Sequence, residues 1–221
     1  MRSFTTQHLD RVMTFEKEFK EAISNLPDKE KDKLILRLLR HDPALVNRLH
    51  FELLSGQSKE ERRTEMESII VKRAAQMSED FYSIGYLMMD VRYLSGEITE
   101  HVKTTRDAFG EISLNLLMLN EVLSLNLERL ALLTPGQSRK FSIYVIARSY
   151  KLLVRIRSLH EDYLVDFKPD LALLGENIGQ SDHLMRTAIQ HGLDVNWLLF
   201  GEIPDDIKER HQDLKLRGFL K

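Results

Sequence analysis

Glu97, Glu100 and His101 stand three and four residues apart, so on a helix their side chains share one face. Carboxylate and imidazole are ligand types for a divalent cation. The same trio also reads as a solvated polar face at the start of a helix, where acids favour the dipole. No His-Glu-x-x-His occurs, and no Glu stands three residues before any of the eight histidines. The paired Glu-x-x-His ligands of di-iron helical bundles are therefore missing. Nucleophilic chemistry is no better served: cysteine is absent, and there is no Gly-x-Ser-x-Gly and no glycine-rich phosphate loop. No catalytic, metal-binding or cofactor-binding residue is assigned, no cofactor is expected, and the chain reads as a non-enzyme.

A basic run carries more information. Between Arg139 and Arg157 lie Arg139, Lys140, Arg148, Lys151, Arg155 and Arg157, with no acidic residue among them. Arg148, Lys151 and Arg155 fall at i, i+3 and i+7 and form one helical stripe. Such a stripe could contact the phosphates of a nucleic acid. It could equally pair with Glu161, Asp162, Asp166, Asp170 and Glu176, with a neighbouring helix or with another subunit. A net charge of −2 favours pairing within or between chains, because nucleic-acid binders tend to be basic.

These residues need elements to hold them. The 221 residues are 43% hydrophobic and 30% charged, a globular balance with enough chain for a sizeable core. Gly (10) and Pro (5) are scarce, which argues against a turn-rich β fold and for long helices. The lack of cysteine leans towards a reducing compartment, and Met1–Asp10 has no apolar targeting segment. Ile112–Leu133 is the most apolar stretch. Glu121, Glu128 and Arg129 interrupt it, so it reads as a buried helix and not a membrane span. The expectation is a soluble cytoplasmic protein.

Apolar periodicity divides an all-α chain into three parts. Residues 1–56 read as three short helices. The first is 4–24, with Phe15, Phe19 and Ile23 on its stripe; Asp28 caps the second and Asp42-Pro43 starts the third. Ser58 and Glu61 form a capping box that opens the long helices of 58–167, with Ser95-Gly96 as the best turn before residue 98. Helices at about 98–133 and 138–167, joined by Thr134-Pro135-Gly136-Gln137, make an antiparallel hairpin. Residues 1–167 thus form a helical core domain. Residues 168–221 form a broken helical tail, either a small subdomain or a packing arm, cut at Lys168-Pro169, with candidate helices 170–174, 181–191, 194–200 and 204–217.

Three local resemblances add expectations. Glu18/Glu21 and Glu97/Glu100 resemble the Glu-x-x-Glu of all-α nucleoside-triphosphate pyrophosphohydrolases, which hold magnesium with a second motif, Glu-x-x-Asp, on another helix. The expectation is that no Glu-x-x-Asp anywhere in the chain completes that cage. The string Gln190-His191-Gly192-Leu193-Asp194-Val195-Asn196-Trp197-Leu198-Leu199-Phe200-Gly201-Glu202 resembles the end of phage-repressor-type helix-turn-helix domains. Ile178-Gly179-Gln180-Ser181 resembles the entry to their recognition helix, which implies DNA binding. The block from Leu26 to Leu54 is similar to an uncharacterised helical family of Bacteroidetes-type bacteria, which implies a cytoplasmic bacterial protein and no activity. Together these readings favour a non-enzymatic scaffold or interaction protein, self-associating or binding another protein. A nucleic-acid-binding regulator and a magnesium-dependent nucleotide hydrolase are the alternatives.

Overall fold

A computed structural model describes residues 15–220. Among them the chain forms twelve α-helices and no strand. The all-α bundle expected from periodicity is therefore present. The described residues up to Leu49 and those from His50 on are two compact units.

The first unit holds α1 (Lys17–Ser24), α2 (Asp28–Leu39) and the start of α3 (Pro43–Leu54). The part of the first expected helix before residue 15 lies outside the described residues. Asp42 caps α3 as expected, its carboxylate accepting the Leu45 amide at 3.0 Å. Asp28 does not cap α2. It is the first helical residue, and Pro27 takes the cap position.

The second unit contains the core. Ser58 and Glu61 close both bonds of the capping box and start α4 (Lys59–Glu79). Beyond it lies α5 (Ile84–Thr105), which runs straight through Ser95-Gly96. A glycine costs a helix about 1 kcal/mol against alanine. Burial of Val91, Leu94 and Ile98 on the same helix outweighs that cost, so the expected turn does not form.

The break falls instead at Arg106-Asp107, inside the expected 98–133 helix. Arg106 adopts a left-handed conformation (φ 52°) and Asp107 caps α6 (Ala108–Ser124), accepting the Gly110 amide at 2.9 Å. A short α7 (Leu127–Ala131) follows. Thr134 and Gln137 form a second capping box, so α8 begins at Pro135 and ends at Arg157. After a single 3-10 turn, α9 (Leu164–Gly179) carries Pro169 in its interior. The amide that Pro169 lacks would have bonded the carbonyl of Val165, an exposed residue, so water can serve that carbonyl. The expected cut at Lys168-Pro169 is therefore a continuous helix. The tail ends in α10 (Asp182–Gln190), α11 (Asn196–Leu199) and α12 (Ile207–Leu216).

Helix α6 is central: it packs on α4, α5, α8 and α9, and ten of its residues are buried. The tail belongs to the same core, with α10 and α12 on α8 and α11 on α9. Between α6 and α9 the apolar contact is interrupted by a polar trio. Asn120 donates to the Asp170 carbonyl at 2.9 Å, Asn177 donates to Asn120 Oδ1 at 3.5 Å, and Ser124 donates to Asn177 Oδ1 at 3.3 Å. No helix among the described residues is long and apolar enough to cross a membrane.

Candidate functional site

The basic stripe lies on α8, and its three members meet different fates. Arg148 points inward. It donates to Ser95 Oγ of α5, to Asn115 Oδ1 of α6 at 3.5 Å and to the Tyr144 hydroxyl at 3.3 Å. Arg155 uses Nε to reach Glu111 of α6 at 3.3 Å. Two of the three cations thus serve neighbouring helices. Lys151 has no ion-pair or hydrogen-bond partner among the described residues. Its pKa is lowered, chiefly by burial and then by the charge of Arg148.

Across from this stripe, α12 carries a second one that the sequence reading missed. Lys208, His211 and Lys215 repeat the i, i+3, i+7 spacing of Arg148, Lys151 and Arg155. The matching spacing was the available signal. The shortness of α12 and its acidic neighbours Glu209 and Asp213 hid it. The two helices run antiparallel: Arg157 at the end of α8 bonds Asp205 just before α12, while Lys151 lies within electrostatic reach of Lys215 further along. His211 is buried and stacks flat on Tyr150, with ring centres 5.7 Å apart and planes 3° apart. Burial lowers its pKa, with Lys215 and Lys151 adding to the effect. Burial also pushes the Tyr150 phenol up to about 12, and its hydroxyl donates to the His191 carbonyl at 3.2 Å.

The metal candidates are spread out. Glu97 pairs with Arg73 of α4 at 3.1 Å, and Glu100 pairs with Lys103 at 2.7 Å. The His101 Nε2 is buried with no hydrogen-bond partner among the described residues. No group of three His, Cys, Asp or Glu side chains among the described residues is placed to hold a metal ion. One Glu-x-x-Asp does occur, Glu202 to Asp205, but it lies in the loop before α12 and Asp205 is engaged by Arg157.

The Trp197 string forms part of the core. Leu198 is fully buried, and Trp197 meets Tyr150 edge-on at 6.5 Å with Arg210 over its ring. The segment entered through Ile178-Gly179-Gln180-Ser181 is α10, capped by Ser181. Its exposed residues are Asp182, Arg186, Ile189 and Gln190, which bring a single cation to any phosphate backbone. The chain matches no family model, no curated protein and no solved structure.

Proposed function

We propose that the chain is a non-enzymatic interaction protein that self-associates through its N-terminal unit. One observation carries this reading: no residue of α1, α2 or α3 is buried, although apolar residues recur along them at helical spacing. Phe19 and Ile23 share one face of α1 at i and i+4, the Phe15 ring before the helix lies 5.5 Å from that of Phe19, and all three are exposed. Ile35, Leu36 and Leu38 are exposed to a greater degree on α2. Helices of this length are marginal alone and depend on burying an apolar face. Several large apolar side chains left exposed on neighbouring helices suit an interface.

The occupant proposed is a second copy of the same face. Charges of both signs alternate from Lys17 to Glu21 and from Asp28 to Lys33, so two such faces can pair antiparallel with opposite charges opposed. Light scattering on the full chain tests this. The expected result is a dimer or larger species that becomes monomeric in Phe19→Asp with Leu36→Asp. A wild-type monomer at high concentration defeats the proposal.

A further inference from the structure

The cleft between α8 and α12 has the size and charge of a ligand site, and it lies wholly within residues 50–221, apart from the self-association surface. Its volume is about 550 Å³, within the range of small-molecule pockets. Lys151 and Arg155 come from one wall and Lys208 from the other, over an apolar floor of Val154 and buried Ile207. Lys215 adds its charge from two turns further along α12.

The counter-charges do not balance. Glu111 answers Arg155 and Asp205 answers Arg157. Lys151, Lys208 and Lys215 have no ion-pair partner among the described residues, and Glu209 is the one lining carboxylate there without a cation. Desolvation adds to the crowding at Lys151, and gathering like charges along one cleft costs folding energy unless an anion occupies it. That excess stands out in a chain whose net charge is −2.

We propose that this cleft binds a small phosphorylated molecule. The phosphate sits between Lys151, Lys208 and the Arg155 guanidinium, and the carbon skeleton lies on Val154 and Ile207. Arg155 spends only Nε on Glu111, so its terminal N–H groups remain to fork onto a phosphate. A doubly charged monoester suits several lysines better than a carboxylate does. The Arg157–Asp205 pair ties the end of α8 to the loop before α12 at one end of the cleft. A cleft of this volume fits a compact ligand.

Calorimetric titration of the full chain at low salt, with inorganic pyrophosphate and with adenosine 5′-monophosphate as probes, decides the matter. The expected result is saturable binding of at least one probe. In Lys151→Met with Lys208→Met it weakens by about tenfold or more, while the thermal melt of that variant stays cooperative. A charge-matched control, Lys17→Met with Lys20→Met, binds as wild type. The proposal is overturned if neither probe saturates, if the cleft variant binds as wild type, or if the control loses affinity equally. It is also overturned if only phosphatidic-acid vesicles or only duplex DNA bind, since the phosphate then belongs to a membrane or a nucleic acid.

Discussion

Arg63 on α4 and Asp107 at the head of α6 are joined by a single 2.7 Å hydrogen bond from Nε to Oδ2. The other Asp107 oxygen caps α6 through the Gly110 amide at 2.9 Å. Gly110 makes this double duty feasible, because a Cβ there would come within 2.3 Å of Asp107 Oδ2. Arg63 also lies over the Phe109 ring at 4.7 Å.

Asp107→Ala therefore removes a cap and at once leaves the half-buried Arg63 guanidinium with only its 3.9 Å pair to exposed Glu60. The cost should be about 3 kcal/mol in urea unfolding, with an unchanged slope. Asp107→Asn keeps the cap acceptor and should lose about half as much. A loss below about 0.5 kcal/mol for the alanine variant would show that the pair holds nothing.

Two glycines should respond to alanine in opposite directions. At Gly175 a Cβ would meet Leu199 Cδ2 at 2.9 Å and Leu198 Cβ at 3.2 Å, where α9 and α11 touch. Overpacking there outweighs the gain in helix propensity and should leave a net loss of about 1 kcal/mol. Nothing lies within 4 Å of the Gly96 position, so Gly96→Ala should gain about 0.5–1 kcal/mol. Thermal melts of the two variants should move to opposite sides of wild type.

Members of the basic stripe should likewise separate. Arg148 bonds to groups on α5, α6 and its own helix, and its replacement by Met leaves Asn115 and Ser95 short of a partner. That should cost about 1–3 kcal/mol. Lys151 faces like charges and a desolvation penalty that the nearby Glu111 charge offsets only in part, so Lys151→Met should be neutral or slightly stabilising. Equal losses in the two variants by chemical denaturation would contradict this division.

Stability should fall as the solution is acidified through the histidine range. His101, His191 and His211 are all held below their ordinary value of 6.5, first by burial and then by nearby arginine or lysine charges. The unfolded chain therefore takes up protons before the folded one. Stability is full above the unfolded value and is lost as pH drops through it towards the folded values. Melting temperature should decline between about pH 8 and about pH 5.5, and His211→Gln should flatten the decline. A flat profile for wild type would contradict burial of these rings.

The class of fold was legible because periodicity and capping are local. The box at Ser58–Glu61 starts a helix where the residue types require, whereas Thr134–Gln137, expected as a turn before a helix at 138, is itself a box that starts α8 at Pro135. Breaks were less legible, because they depend on what each segment packs against. Gly96 sits in an unbroken helix since its neighbours are buried, while Asp107 stops one because Arg63, 44 positions away, holds its carboxylate. The stripe Arg148, Lys151 and Arg155 was visible, but only tertiary packing separates the two arginines that tie helices together from the lysine that does not. Its counterpart on α12 was hidden for the same reason: two stripes of equal spacing gain meaning only when their helices lie side by side.

The polar trio of Asn120, Ser124 and Asn177 between α6 and α9 has a consequence for how this protein tolerates change. Leucine faces are nearly interchangeable, and α9 could slide one turn, about 5.4 Å, along α6 and still find greasy neighbours. Such a slip would strand the amides of Asn120 and Asn177 in hydrocarbon. The three polar side chains thus act as a vernier, rejecting every misaligned docking of two otherwise permissive surfaces. The surrounding leucines are then free to drift in identity over generations, while these few positions keep the alignment.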